Sequence, residues 1–340
     1  MPSVDIQGDE RDNVGVHGPV DDSSRPSTAA SASPPPNAEM LTVIIPAFNE
    51  EEGLPPTLKS LQAETRLTGC RIIVVDDGST DGTVAAARAV PGVEVLQHLN
   101  NKGYGAGIKT GTRHASTQYV AWFDADGQHR AEDLARLFEA AVNNDYDAVF
   151  GNRASGSAVV KSRVAGKKVL GFVANSVANQ KIPDINCGLR VFRRAVLTSY
   201  LPLLPDGFSA STTTTLLCIK RNRHHAFLPI VTAERVGKST VKQVRDGVRT
   251  LHLMMRILFL FSAFRTFALA SGILLALGIG YGTTLAIMHG QGFPVLAALI
   301  TLAGVIMMGF GIVSDQISAL RIDLLERGEE PHGPPRRDRE

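Results

Sequence analysis

Two aspartates, Asp124 and Asp126, stand two positions apart where the apolar run YVAWF ends, and Gln128 follows at the same spacing. Alternate side chains leave an extended segment on the same side, so two carboxylates and an amide oxygen can converge on one hard divalent cation. Such a cation can neutralise a diphosphate and stabilise it as it departs. Asp is also common in turns, so the company of this pair decides its meaning. Three earlier apolar runs end the same way: LTVIIPAF on Asn49 and Glu50, RIIVV on Asp76 and Asp77, and VEVLQH on Asn100, Asn101 and Lys102. Four successive polar or acidic run ends mark a site.

The elements that position these ends alternate strictly. Strand-length runs from Leu41, Arg71, Val93, Tyr119 and Asp147 are separated by helix-length amphipathic segments over Glu51 to Arg66, Thr83 to Val90, Gly105 to Ser116 and Ala131 to Asn143. That order predicts an α/β fold with right-handed βαβ units and a mostly parallel sheet with flanking helices, whose ligands sit beyond the carboxyl ends of the strands. Residues 151 to 242 are less regular. They hold a helix from about Lys168 to Gln180, the run PDINCGLRVFRR, the apolar segment TSYLPLLPDGF, a Thr-rich helix start SASTTTTLL and the strand-like HHAFLPIVTAERV.

With 340 residues, 44% apolar, 20% charged and a net charge of +2, the chain reads as partly lipid-embedded and as no partner for nucleic acid. Cys70, Cys187 and Cys218 have neither metal-type nor disulfide-framework spacing, which points to a reducing compartment. Residues 1–40 have the composition of a disordered tail and lack a signal-peptide pattern. Within residues 243–264, Val244, Val248, Leu251, Met255 and Leu258 recur at helical spacing beside Arg245, Arg249, His252 and Arg256, as in an amphipathic helix lying at a membrane surface. Between Arg265 and Asp315 no Asp, Glu, Lys or Arg occurs. Phe267 to Met288 and Phe293 to Val313 are each long enough to span a bilayer, so residues 265–316 read as a transmembrane hairpin turning at HGQG. Residues 317–340 then form a cytoplasmic tail. Arginines on both flanks put the soluble domain, residues 41–242, on the cytoplasmic face of the cell membrane. Gly278 and Gly282 form a GxxxG that suits close helix contact, either inside the hairpin or between copies in a homo-oligomer.

Two other readings of the glycines fail. In GYGAGIK a dinucleotide fingerprint would directly follow the first strand and need its third glycine at 108, which is Ile108. Neither GIKT nor VGKST is a phosphate-binding P-loop, since Ile108 follows Gly107 and Thr232 stands five before Gly237.

The entry VIIPAFNEE, the loop VVDDGSTDGT, the run NNKGYGAGIKTG and FDADGQH, in this order over Val43 to His129, resemble the family 2 glycosyltransferases. The resemblance implies a GT-A fold and inverting transfer of a sugar from a nucleotide-sugar. It implies that Pro46, Phe48 and Glu50 line the base and ribose, that Asp76 and Asp77 hold base or ribose, and that Lys102 lies near the diphosphate. Asp124, Asp126 and Gln128 would hold Mg²⁺ or Mn²⁺, with Asp126 counted among the catalytic residues and His129 their neighbour rather than a ligand. GNR at 151–153, DINCGLRVF at 184–192, LPDGF at 204–208, RVGKST at 235–240 and the hairpin look like the polyisoprenyl-phosphate glycosyltransferases, a group that includes dolichol-phosphate mannose synthase. The likeness covers about Leu41 to Leu320. Asn186-Cys187-Gly188-Leu189 departs from the more usual Thr-Ser-Gly-Phe, which leaves the sugar open, and the QxxRW of processive synthases is absent.

A polyprenyl phosphate acceptor also makes chemical sense. A phosphate monoester, with a second pKa of about 6, is already ionised near neutrality and attacks with little help from a base. What it needs is cations, since one anion must approach another; Arg153, Arg163, Arg190, Arg235 and Lys238 are the candidates, bidentate pairing favouring Arg. Asp184 would orient the acceptor or act as base, and Asp184 and Arg190 join Asp126 as candidate catalytic residues. The expected donor is a UDP-sugar or GDP-mannose carrying a hexose. The alternatives are a membrane transferase acting on another lipid or glycan, and a catalytically silent sugar-nucleotide-binding subunit.

Overall fold

In this computed structural model the described residues are 36–153, 174–207, 209–233, 243–290 and 292–326, with the backbone alone described for 243–254, 256–260 and 326. Seven strands form one sheet: β1 (Leu41–Ala47), β2 (Arg71–Asp76), β3 (Val93–Gln97), β4 (Tyr119–Trp122), β5 (Ala148–Arg153), β6 (Arg190–Arg193) and β7 (His225–Ile230). Their order is β3-β2-β1-β4-β6-β5-β7. All pairings are parallel except those of β6, which runs antiparallel to both β4 and β5. The expected mostly parallel α/β sheet is thus a mixed sheet, with one reversed strand from the DINCGLRVF run inserted beside β4. That insertion carries residues 184–189 to the end of β4, where Asp124 and Asp126 lie.

Alternation along β1 builds a core on each face. Leu41, Val43 and Ile45 pack with Leu54, Leu58 and Leu61 of α1 (Leu54–Ala63) and Leu134 and Phe138 of α4 (Ala131–Asn143). Ile44 packs on the other face with Trp122, Ile108 of α3 (Tyr104–His114), Leu197 of α5 (Arg194–Tyr200) and Leu217 of α6 (Ala210–Lys220). The small helix α2 (Thr83–Arg88) joins β2 to β3. Pro46 is tolerated in central β1 because its missing N–H faces the β4 side, as Ile44 does, and pairing with β4 ends at Ile44 opposite Trp122. The glycines of α3 also serve packing: a Cβ on Gly111 would lie 2.4 Å from Ile44 Cγ2, so the helix sits unusually close to β1.

Several boundaries differ from expectation. Order begins before Leu41, with a single helical turn at Ala38–Met40 capped by the Asn37 side chain and with Ala38 buried. Of the helix expected from Lys168 to Gln180, 174–178 is helical and the earlier residues lie outside the described ones. Residues 1–35 also lie outside.

Helix α7 (Gln243–His289) is kinked at Ser262 (φ −155°, ψ 40°), and α8 (Val295–Glu326) returns beside it. The helical backbone thus covers the expected amphipathic segment, although the side chains that would define its faces are mostly outside the described ones. The two helices are long and apolar enough to cross a membrane, and their outward surfaces are bare: Leu269, Leu277, Leu302 and Phe310 are exposed. Between them Gly278 abuts Thr301, with its Cβ position 2.5 Å from Oγ1, and Gly282 abuts Phe293. The GxxxG therefore closes the hairpin on itself. Helix α8 continues to Glu326, so the first part of the expected tail is helical; Ile322 and Leu325 pack against the second core, and Asp323 pairs with Arg221.

Candidate active site

The turns after β1 and β2 are laced into one wall. Asn49 takes a left-handed backbone (φ 55°); its N–H donates to Ser79 Oγ and its Oδ1 accepts the Thr80 N–H, both at 2.9 Å. The Glu50 N–H donates to Thr83 Oγ1 (2.9 Å) and the Gly82 N–H to Glu51 Oε2 (2.8 Å). This wall abuts the carboxylate turn after β4: Thr57 Oγ1 donates to Ala125 O at 3.2 Å, and a Cβ on Gly53 would meet that same oxygen at 2.8 Å. Pro46, Phe48 and Glu50 lie half-buried at this end of the sheet, and the Lys102 side chain is exposed.

Asp76 and Asp77 are both buried. Asp77 accepts the Lys102 N–H on Oδ1 (2.9 Å) and the Gly103 N–H on Oδ2 (2.7 Å), while His98 Nδ1 lies 2.7 Å from Oδ1 and its Nε2 2.8 Å from Thr110 Oγ1. Its carboxylate holds the loop 98–103 in place. Asp76 accepts the Ser79 N–H at 3.3 Å and shapes the turn of the neighbouring wall.

Asp124 is clamped at both oxygens. Tyr104 OH donates to Oδ1 (3.0 Å), and His129 Nε2 lies 3.1 Å from Oδ2. Burial opposes its charge, yet the His129 contact, the Tyr104 hydroxyl and the nearby Arg153 charge together hold its carboxyl below the usual value. Burial and the Asp124 charge push the Tyr104 phenol well above its usual pKa, so it remains a donor. Asp126 is buried and its Oδ1 accepts the Gln128 N–H at 3.1 Å. His129 Nδ1 is buried with no hydrogen-bond partner among the described residues.

The donor chemistry suits a hard divalent cation. Among the described residues no group of three or more His, Cys, Asp and Glu forms a complete metal cage. Two carboxylates completed by substrate phosphates and water are what Mg²⁺-like ions ordinarily accept. The thiols play no part: all three cysteines are free, and burial pushes Cys70 to about 11 and Cys187 and Cys218 to about 12.

The second half of the chain closes the pocket beside Asp124. Arg153, at the end of β5, meets Asp184 in a bidentate pair, Nε to Oδ2 at 2.7 Å and Nη2 to Oδ1 at 3.0 Å. Asp184 Oδ1 also accepts the Asn186 N–H at 3.0 Å. Burial alone would raise the Asp184 pKa, but the Arg153 side chain and the Asn186 and Arg153 N–H groups together hold the carboxyl below its usual value. A carboxylate so held is a poor base.

Arg190 corrects the expectation most sharply. It is fully buried, and its guanidinium donates to Cys187 O (2.7 Å), Ile185 O (3.0 Å), Ser211 O (2.7 Å), Thr214 Oγ1 (3.1 Å) and Thr215 Oγ1 (2.8 Å). The rings of Phe150 and Trp122 lie at 5.0 and 5.8 Å. With every arm taken by the protein it cannot reach an acceptor phosphate. It latches the 185–187 loop to the Thr-rich start of α6 instead. Arg163, Arg235 and Lys238 lie outside the described residues, although Ala233, two positions before Arg235, donates its N–H to Gln128 O at 2.9 Å.

Two residues of the site were not foreseen. Tyr104 lies inside the glycine run, where a phenol announces nothing. Gly188 packs so closely on Asp124 that a Cβ would lie 2.1 Å from Oδ2.

Comparison with known proteins identifies the family and the fold. Residues 42–201 match Glycosyl transferase family 2, and residues 262–320 match the GtrB C-terminal hairpin. Glycosyltransferase AglJ of Haloferax volcanii is 27% identical over 87% of this chain and 99% of its own length. The undecaprenyl-phosphate 4-deoxy-4-formamido-L-arabinose transferase of Pseudomonas paraeruginosa is 27% identical over 85% of this chain and 88% of its own. Among solved structures, glucosyl-3-phosphoglycerate synthase from Mycobacterium tuberculosis, in complex with Mn²⁺, UDP and phosphoglyceric acid, shares the fold. Its TM-score is 0.51 at 17% identity, over 64% of this chain and 77% of that one.

Proposed function

The chain belongs to glycosyltransferase family 2 and is a transferase that uses a nucleotide-sugar; on that premise we propose that it moves a hexose, with inversion, onto a polyprenyl phosphate at the cytoplasmic face of a membrane. The observation that carries this reading is the packing of Gly188 against the Asp124 carboxylate, which brings the 184–189 loop, with its bidentate Arg153–Asp184 pair, to the end of β4. One cleft then has an acidic wall suited to a donor diphosphate with its cation and a cationic corner suited to an incoming phosphate. The membrane hairpin supports a lipid as the bearer of that phosphate, as does the relative named for undecaprenyl phosphate.

In the reaction, a phosphate oxygen of the acceptor forms a bond to the anomeric carbon as the bond from that carbon to the nucleoside diphosphate breaks, and the diphosphate leaves with the electron pair. A divalent cation bound at Asp126, with Asp124 and Gln128 beside it, would offset the charge gathering on the leaving diphosphate. Tyr104 and His129 hold the Asp124 carboxylate in place. Lys102, on the loop that Asp77 anchors, would contribute its charge to the diphosphate. Arg153 orients the acceptor phosphate, and Asp184 orients Arg153; because the acceptor arrives ionised, no base is required. Arg235 and Lys238, outside the described residues, complete the set of cations proposed for the acceptor phosphate.

The test uses purified full-length protein with polyprenyl phosphate and a panel of labelled UDP- and GDP-sugars, with and without Mn²⁺. Transfer of label from the aqueous to the organic phase with one donor, in a metal-dependent way, is the expected result. Label passing only to another lipid or a glycan would favour the alternative acceptor.

A further inference from the structure

The segment 201–207 touches both the membrane hairpin and the donor loop, yet the proposed reaction assigns it no role. At one end Arg321 Nη2 of α8 donates to Pro202 O at 3.5 Å. Ile322 and Leu325 of α8 enter the apolar cluster that holds Leu201, Leu203 and Leu204. The ion pair between Arg221 and Asp323 fastens the same part of α8 to the end of α6. This seat lies outside the bilayer: the uncharged stretch 295–314 already spans about 30 Å at the helical rise, and Asp315, Arg321 and Asp323 follow it.

At the other end the segment is pressed against the start of α3. The Ala106 N–H, in the first turn of the helix, is shared between Gly103 O and Asp206 O, each at 3.0 Å. Lys109 Nζ bonds Asp206 Oδ1 at 2.7 Å. A Cβ on Gly103 would lie 2.5 Å from Asp206 O, and one on Gly105 only 2.1 Å from Pro205 O. Backbone lies against backbone without slack. Gly103 is also the residue whose N–H Asp77 holds, directly after Lys102. The Lys109–Asp206 pair contributes little by itself, since the Asp206 carboxylate is largely exposed; the main-chain contacts are what fix the spacing.

We infer that residues 201–207 act as a strut through which the seating of the membrane hairpin positions the donor-diphosphate loop. This rests on the reading of Lys102 and its loop as donor contacts. The packed contact has no room to absorb a shift of α8, so a displaced hairpin end moves the start of α3 and with it the loop. A hairpin that served as an anchor alone would leave donor affinity untouched however it was seated.

The experiment measures UDP and GDP dissociation constants and donor KM for the full-length protein in lipid nanodiscs. The variants are Ile322→Ser, Asp323→Arg and the charge swap Arg221→Asp with Asp323→Arg. The single variants should weaken donor binding by about two- to thirtyfold, the scale of coupling between linked sites, and the swap should restore most of it. Membrane insertion and thermal unfolding report fold integrity, and the swap keeps the test valid if Ile322→Ser fails to fold. Donor affinities equal to wild type in the folded variants would overturn the strut. A wild-type protein that binds neither nucleotide would instead remove the reading of the donor loop on which the strut rests.

Discussion

Gly188 faces the Asp124 carboxylate so closely that a Cβ on it would sit 2.1 Å from Oδ2. The two residues come from opposite halves of the chain, and their contact shows how the reversed strand β6 completes a pocket that β1 to β4 begin. A carboxylate tip usually swings aside for a methyl group, but Tyr104 and His129 hold this one at both oxygens. Gly188→Ala should therefore shift Asp124 and lower kcat by about a hundredfold, the scale of a misplacement of about 1 Å, with little change in the unfolding temperature. Wild-type turnover in this variant would mean that the carboxylate moves freely.

Arg190 carries its charge into the core and forms no ion pair among the described residues. Arg190→Lys shortens the fork and leaves several buried acceptors unpaired, at about 1–3 kcal/mol each. A loss of at least about 2 kcal/mol of stability on that scale is expected in denaturant or thermal unfolding. Unchanged stability with a raised acceptor KM would return Arg190 to the acceptor site.

Asp184 has a pH signature. Burial raises its pKa, the Arg153 hydrogen bond and charge together with the Asn186 and Arg153 N–H groups lower it, and the folded value ends below the usual one. A depressed carboxyl contributes stability that is fully present above the unfolded value of about 3.9 and lost as pH falls through the folded value. In Arg153→Ala the burial remains and the partner is gone, so the Asp184 pKa rises and acid unfolding should move to higher pH. Circular dichroism across pH 2 to 6 reads the midpoint; coincident curves for wild type and variant would show that the pair does not couple to folding.

Asp77 predicts a loop effect. Asp77→Ala releases the Lys102 and Gly103 N–H groups and the His98 ring at once. Donor KM should rise about tenfold or more, given about 0.5–1.5 kcal/mol for each hydrogen bond lost, while acceptor KM stays near wild type. An equal rise in both would point to general damage.

The strands β1 to β5 and helix α4 are legible because their apolar runs are long and end in turn residues, and the metal-type carboxylates could be singled out from their spacing. Strand β6 was hidden: four residues, RVFR, with charges at both ends give neither alternation nor a continuous apolar run. Arg190 is illegible for a related reason, since an arginine in sequence looks like an available cation and only the folded Thr-rich helix reveals that its donors are taken. Neighbouring residues of a strand face opposite ways, and the different partners of Asp76 and Asp77 follow from that. The glycines of α3 fit no phosphate-binding motif; Gly105 and Gly111 are small because backbone and Ile44 lie where side chains would be.

The central claim is metal-assisted transfer from a nucleotide-sugar to a lipid phosphate, and it is tested most directly by comparing wild type with Asp126→Ala in lipid nanodiscs containing polyprenyl phosphate, labelled donor and Mn²⁺ or Mg²⁺. The wild type should place label in an organic-phase sugar phospholipid only when metal is present, and Asp126→Ala, folded and inserted, should place about a hundredfold less there, the scale of a lost electrostatic stabiliser. Near-normal transfer by Asp126→Ala, or wild-type transfer that ignores chelator, would contradict it.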